Sequence, residues 1–543
     1  MKMQTIVVWT LALVCAAGAA TACGASRDEL VDVGQGFEQR GLEAPWDQKM
    51  APTRFSMHST ADRVFFSYEV TDSTLTLKEP FSSELDVNPE DRVEIFFAPG
   101  SRSTAPSADP KSVKRSLKRP YYCAEIDPLG HIMDYKARFY RKFDYEWNFS
   151  TMEARGSVTP WGYRVEGSVS RAELEELGID LTNGFWMGVY QADFKPDGEV
   201  IWYSLVPDDV DSPDFHTTGV MMPCRCTPKA ERRGVVIYPD DITTVGLDEW
   251  SRRIDLAGIN LIGLHAATNN DPIDTLETFI RSKVGQDFLA LCKSKNVDIE
   301  YELHALEYLL PRNLFDTHPE WFRMDAEGKR CRDFNMCFSS DEAIEAMRGQ
   351  LEHLLSWARP TTHRYYFWTD DKVGMFCNCP ECSQYSPSEQ TLLYENKLLA
   401  LLREYDPEAT LAHLAYEQTL PAPVKVKPAD GVFLEYAPIN RDYTQPLPPE
   451  QEAALRANMA AFPGHSMHVL EYWLDESMFS RWKKDSPVPL PFDEAYTARD
   501  LASYRAFGSA DFTCFATWLG GLYIERFGST DDIFAGYASA FGK

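Results

Sequence analysis

Basic residues are scarce in this chain. Lys and Arg total 54 against 82 Asp and Glu, a formal net charge of −28 over 543 residues. That surplus repels phosphate backbones and anionic membrane surfaces, which excludes nucleic acid as a partner and favours a neutral or cationic ligand. Long apolar runs are missing beyond the first two dozen residues, so no later segment is long enough to span a bilayer. Disulfide-scaffold spacing is missing too: the twelve cysteines are sparse and uneven, although an exported chain permits disulfides. No cofactor is expected.

What is present is ample apolar material, 44% hydrophobic and 13% aromatic residues, in a chain too long for one ordinary core. Two globular domains are the natural expectation. The N-terminus reads as an export signal: Lys2 is a short basic region, and TIVVWTLALVCAAGAATA is an apolar segment ending in small residues. Cleavage is expected near residue 23. AATAC partly fits a lipoprotein signal, with Ala20 where leucine is usual, so a lipid anchor at Cys23 is the alternative. The expected location is therefore periplasmic, cell-surface or secreted, in a bacterium.

Residues 35–222 are β-rich. RVFFSYEV, RVEIFFAP, YYCAEIDP, YRVEGSVS, FWMGVYQADF and EVIWYSLV are short, aromatic or β-branched and partly alternating, with DPLG, TPWG and KPDG as turns. RAELEELG is a single helical insert. The pattern predicts an all-β sandwich. Its order of residues resembles carbohydrate-binding module family 9-like domains: Asp91 to Phe97, then Tyr122, Glu125-Ile126-Asp127-Pro128 and Gly130, then Trp147-Asn148-Phe149, Trp161-Gly162-Tyr163 with Glu166, and Asp214-Phe215-His216 with Gly219. The resemblance implies a fold able to hold sugars between aromatic rings. Trp46, Trp147, Trp161, Trp186 and Trp202 are more simply read as packing. A basic, proline-marked linker is expected at 223–232.

From residue 233 the rhythm changes. Eight apolar strands are expected at 234–241, 260–267, 298–306, 363–371, 409–417, 431–440, 466–475 and 511–519, with helical patterns in most of the gaps. The fifth gap, QTLPAPVKVKPAD, is too short and proline-rich for a good helix. This predicts a (β/α)8 TIM-type barrel over 233–543, with an open doubly wound sheet as the alternative.

In such a barrel the site lies at the C-terminal ends of the strands. Those ends carry His265, Glu302, His304, Trp368, Asp370, Asp371, Tyr416, Glu435, Tyr436, Asn440, Glu471, Tyr472, Trp473 and Trp518. Carboxylates and aromatics together suit a polyhydroxylated ring, because carboxylates bind hydroxyls and aromatic faces pack on ring CH groups. Adjacent strand residues point to opposite faces, so Asp370 and Asp371 converge only where the fourth strand is ending. In YYFWTDDKVGMFCNCPEC the aromatic wall and the neighbouring acid would push one of their pKa values up. A carboxylate pair at this point of the barrel resembles that of substrate-assisted N-acetylhexosaminidases, which implies Asp370 orienting a 2-acetamido group and Asp371 acting as general acid/base. Glu435 and Glu471 are held in reserve for those roles. The other rim residues are expected to bind substrate, with Tyr416 and Tyr436 suited to an acetamido oxygen.

The C-terminal half resembles glycoside hydrolase family 163, formerly a bacterial domain of unknown function. The likeness runs through His318-Pro319-Glu320-Trp321-Phe322, Asp325, Gly328-Lys329-Arg330, Cys337-Phe338-Ser339, Asp370-Asp371, Phe376 to Cys382, Ala415-Tyr416 and Glu471-Tyr472. It implies endo-β-N-acetylglucosaminidase action on N-glycans. Two rivals stand beside it. One is hydrolysis of another sugar, such as a uronide, by a separated pair like Asp371 and Glu471. The other is a non-catalytic glycan-binding barrel. Cys377, Cys379 and Cys382 offer three of the four ligands a structural zinc needs, with Cys337 or His363 as a fourth. No metal is expected, and a disulfide with a leftover thiol is the preferred reading.

Overall fold

The computed structural model describes residues 30–44, 49–78, 80–100, 120–138, 141–206, 214–216, 218–266, 273–462 and 467–542. The signal segment, Cys23 and Trp46 lie outside them. Among the described residues no helix is long and apolar enough to cross a membrane.

The N-terminal half is an antiparallel β domain. Its strands form one hydrogen-bonded path of two runs, joined through the single pair Ser204–Glu43. Along Arg92–Pro99 the period-two alternation is plain. Val93, Ile95 and Phe97 enter a core shared with Phe55, Phe66, Tyr68 and Val70 of the other run. Phe96 and Ala98 point the opposite way, into a second cluster with Tyr121, Tyr135 and Phe215. Arg171–Glu176 is the helical insert. The stretch expected as a linker is only partly one: Met222–Arg225 is a strand that pairs with Phe185–Met187 and Val31–Asp32, and it buries Cys224.

The C-terminal half is a closed barrel of eight parallel strands. They are Arg232–Ile237, Leu261–His265, Asp298–Leu303, Arg364–Phe367, Thr410–Ala415, Val432–Tyr436, His468–Glu471 and Asp511–Cys514, numbered here as barrel strands 1 to 8. Helices follow seven of them. The connection after strand 5 holds only the short turn Glu417–Thr419 among its described helical segments. Val235 and Ile237 point out to the helix layer, while Val236 points inward with Tyr366, Trp368, Phe433, Leu470 and Phe515.

The lower interior is polar. Arg364 is ion-paired with Asp511, Arg232 lies 3.7 Å from both Glu300 and Asp511, and His468 Nδ1 is 3.1 Å from Asp511. The β domain packs beneath this end of the barrel. Arg54 Nη2 meets Asp430 at 3.0 Å just before strand 6, and His58 Nε2 donates to the Gly508 carbonyl at 3.0 Å just before strand 8. A cleft of about 390 Å³ lies between the domains there, lined by Phe65 and Arg164 on one side and Met459 and Phe507 on the other. The barrel's C-terminal mouth is thus at the opposite end from the β domain.

Candidate active site

Strand 4 stops hydrogen-bonding at Phe367, so Asp370 and Asp371 stand on the loop that follows it and are not bound to strict alternation. The two diverge in environment. Asp370 is nearly buried, with 7% of its side chain exposed. Its Oδ2 accepts from the Arg312 guanidinium and the Asn335 backbone N–H, while its own N–H donates to Asn335 Oδ1 at 3.0 Å. Both partners come from the long connection after strand 3. Asn335 adopts φ +58°, a left-handed conformation that asparagine tolerates better than most residues. Asp371 is exposed. It lines a small cleft with His304, Trp368, Tyr416, Glu417 and Gln418. Burial, and then the charge of Asp371, push the Tyr416 hydroxyl up.

Aromatic rings close the mouth around this cleft. The His265 ring is 5.6 Å from Tyr238, 5.8 Å from Trp368 and 5.6 Å from Phe515, and Tyr472 stacks on Phe515 at 5.4 Å. His265 is buried and pushed down to about 3, by burial first and His304 second, so it is neutral at ordinary pH. Its Nδ1 faces the Glu302 carbonyl, which can only accept; Nδ1 therefore carries the proton and Nε2 remains an acceptor. His304 Nδ1 donates in the same way to the Thr369 carbonyl at 2.6 Å, which ties strand 3's end to the aspartate loop.

Below the rings lie two acids. Glu302 and Glu435 are fully buried and project into the barrel. Gly263 makes room for the first, since a Cβ there would sit 2.4 Å from Glu302 Oε1. Trp368 Nε1 donates to Glu435 Oε2 at 2.8 Å. Both Glu302 oxygens and Glu435 Oε1 are buried without a hydrogen-bond partner among the described residues. Burial pushes the Glu302 carboxyl well above the ordinary range, and the Glu435 charge pushes it further. Glu435 is pushed up by burial against the opposing Trp368 hydrogen bond. These acids are suited to holding protons, not to standing as a pair of free carboxylates.

Several rim residues turn out of the mouth. Strand 6 alternates, so Glu435 points in and Tyr436 points out, where its hydroxyl donates to Gln451 Oε1 at 3.0 Å on the helix Pro449–Ala461. Strand 7 alternates likewise. Leu470 and Tyr472 belong to the interior cluster, and Glu471 lies behind the sheet. Glu471 accepts from Arg441 at 2.9 Å and from the Tyr504 hydroxyl, both away from the mouth. Trp473 donates to Asp500 at 3.2 Å in the helix layer. Tyr436, Glu471 and Trp473 are therefore placed in the scaffold, contrary to expectation. Asn440 is exposed, 3.4 Å from Glu417 Oε1. Trp518 is half-buried at φ +60° and its N–H donates to Asp241 at 2.7 Å.

The structure also adds residues to the mouth. Arg312 and Asn335 anchor Asp370 from a connection whose length hid them. Tyr238 and Phe515 join the ring, legible only as apolar strand ends. Asp475, already visible in the sequence at the end of the seventh run, is buried and accepts from Ser477 and Thr517 hydroxyls. The disulfide expected near Cys377 is absent: none of the ten described cysteines is paired.

The protein is thus an antiparallel β domain joined to a parallel barrel with an acidic, aromatic mouth. A family model described as a domain of unknown function (DUF4838) matches residues 262–472, from barrel strand 2 to just past strand 7. No curated protein matches. Among solved structures, a carbohydrate-binding module family 9 from Caldicellulosiruptor kristjanssonii in complex with glucose is 10% identical, covers 37% of this chain and 96% of its own, and has a TM-score of 0.23. A glycoside hydrolase family 20 β-N-acetylglucosaminidase is 11% identical over 62% of this chain and 72% of its own, with a TM-score of 0.34. A cold-adapted β-galactosidase from Rahnella sp. R3 is 11% identical over 58% and 56%, with a TM-score of 0.37. At such overlap these matches assign no activity to this chain.

Proposed function

We propose that this is an exported glycoside hydrolase that cleaves β-linked N-acetylglucosamine in glycoconjugates, endo-acting on N-glycans, with retention by substrate assistance. The observation that carries the reading is the split environment of the two aspartates at the end of strand 4. Asp370 is anchored through Oδ2, which leaves Oδ1 to orient the substrate's acetamido N–H. Asp371 stands open in the cleft beside Trp368 and Tyr416, where it protonates the leaving oxygen and then activates water. Trp368, Tyr472 and Phe515 offer apolar faces to the sugar, and His265, kept neutral by burial, and His304 offer hydrogen bonds. The likeness of His318 to Tyr472 to glycoside hydrolase family 163 supports the same reaction class.

The family 9-like β-sandwich is proposed as a sugar-binding or spacing module. Its place beneath the barrel keeps it out of the catalytic cleft. Lipidation at Cys23 would tether the enzyme to a bacterial surface. The uronide reading with Asp371 and Glu471 is weakened, because Glu471 faces Arg441 and not the cleft. The product screen tests the proposal: N-glycoproteins, chitooligosaccharides and uronic-acid glycans are incubated with the purified chain and the products weighed. Release of glycans ending in one N-acetylglucosamine is the expected result. Glycan binding with no product from any substrate would favour the non-catalytic reading.

A further inference from the structure

Cys377, Cys379 and Cys382 sit in the connection after strand 4, and Cys337 sits in the connection after strand 3. Their four sulfurs all lie within 4.8 Å of one another. Cys337 Sγ and Cys379 Sγ are 3.7 Å apart, far too long for a disulfide. It is the spacing of a tetrahedron: zinc–sulfur bonds of about 2.3 Å put neighbouring sulfurs roughly 3.8 Å apart. All four side chains are buried, none more than 4% exposed, so the site is closed, as structural zinc sites are.

The surroundings are built for thiolates. Backbone N–H groups donate to sulfur from Met324 to Cys377 at 3.3 Å and from Cys382 to Cys379 at 3.4 Å. The Arg330 guanidinium lies 3.9 Å from Cys377 Sγ, and the Ser339 hydroxyl is 3.3 Å from Cys337 Sγ. Gln390, on the helix Pro387–Leu402, clamps the loop by accepting from the Cys377 N–H at 3.0 Å and donating to the Cys377 and Cys382 carbonyls at 3.1 Å each. The Gln390 clamp, hydrogen bonds to sulfur and a nearby cation are the outer shell that steadies a metal–thiolate centre.

We propose that Cys337, Cys377, Cys379 and Cys382 bind one structural Zn²⁺ that fastens the connections after strands 3 and 4 to each other. Four thiols lose four protons to solvent as the ion binds, giving a site of net charge −2 that Arg330 partly offsets. The same two connections supply Asp370 and its anchors Arg312 and Asn335, so the ion stiffens the loop that carries the aspartates without touching substrate. Sequence spacing shows three of the ligands and leaves the fourth open between Cys337 and His363, because it lies outside the compact cluster.

The test is metal analysis of the intact chain purified without chelator. About one zinc per chain is expected, released when a mercurial titrates the thiols. Cys379→Ser should lower the bound zinc at least tenfold, whereas Cys331→Ser, outside the cluster, should leave it unchanged. Because Cys379→Ser can fail to fold, the unmodified chain decides. Below about a tenth of a zinc per chain, with these cysteines joined in disulfides by intact mass or all reacting at once as free thiols, the proposal is overturned.

Discussion

The placement of Glu471 predicts that it holds the scaffold and does no chemistry. Arg441 is its counterion, and both side chains are fully buried. The same guanidinium pairs with Asp500 at 2.6 Å and lies 4.3 Å over the Tyr443 ring. Arg441→Met keeps most of the stem's volume but leaves the buried Glu471 carboxylate without a cation, while Asp500 keeps Arg499 at 2.8 Å. Removing one partner of a buried ion pair costs about 3–5 kcal/mol. At about 2 °C per kcal/mol for a domain of this size, melting should fall by roughly 6–10 °C. The pH dependence has a definite sign. Burial already pushes the Glu471 carboxyl up, and Arg441 opposes that push. Without Arg441 the folded-state pKa rises further above the unfolded value, so the native state binds more protons and stability falls as pH rises. The loss should therefore be smaller near pH 5 than near pH 8. Calorimetry across that range, with turnover measured per folded molecule, checks both. Glu471→Gln should melt lower yet keep near-normal turnover. A Glu471→Gln protein that melts normally and loses its activity would refute the reasoning and return Glu471 to the chemistry.

Two further outcomes follow from the mouth. Arg312→Met removes the charged one of the two anchors on Asp370 Oδ2 and leaves the Asn335 N–H, and turnover should drop roughly ten- to a hundredfold with little change in glycan binding, read as a fall in kcat at similar KM. Asp241 is buried beneath Trp518 and its carboxyl is pushed up to about 8, by burial first and by Asp240 second. The unfolded chain ionises near pH 4 while the native state keeps its proton, so this group costs stability progressively between those values. The stability of the wild type relative to Asp241→Asn should therefore fall from pH 4 to pH 8 in denaturant titrations; a flat difference would place the group in the ordinary range.

Much of the fold was legible because the strands announce themselves by apolar runs between turn residues. All eight barrel strands overlap their runs, the first starting two residues early at Arg232 within the stretch expected as linker, and the fifth connection lacks an α-helix where its prolines predict none. Each strand is shorter than its run, as with Arg364–Phe367 inside the run 363–371, because rim residues such as Trp368 stay buried after the ladder ends. Side-chain direction was harder to read. A carboxylate at a strand end counts toward the site only if its parity points inward, and Glu471 and Glu435 differ in just that. Parity depends on where hydrogen bonding stops, which packing decides and spacing does not show. The anchors of Asp370 were illegible, and the choice of Cys337 over His363 beside the three clustered cysteines was open, for a different reason: these residues arrive from a long connection whose path is set by tertiary contacts such as the hydrogen bond from the Asn335 side-chain amide to the Met375 carbonyl.

The most direct test of the catalytic account is Asp371→Asn, assayed on whichever glycoconjugate the wild-type chain cleaves. The exposed side chain makes the substitution structurally mild, so melting should be unchanged. Turnover should fall by at least about a hundredfold, the usual contribution of a general acid/base. Full activity in that variant would contradict the assignment of Asp371 and, with it, the reading of the strand 4 loop as the catalytic centre.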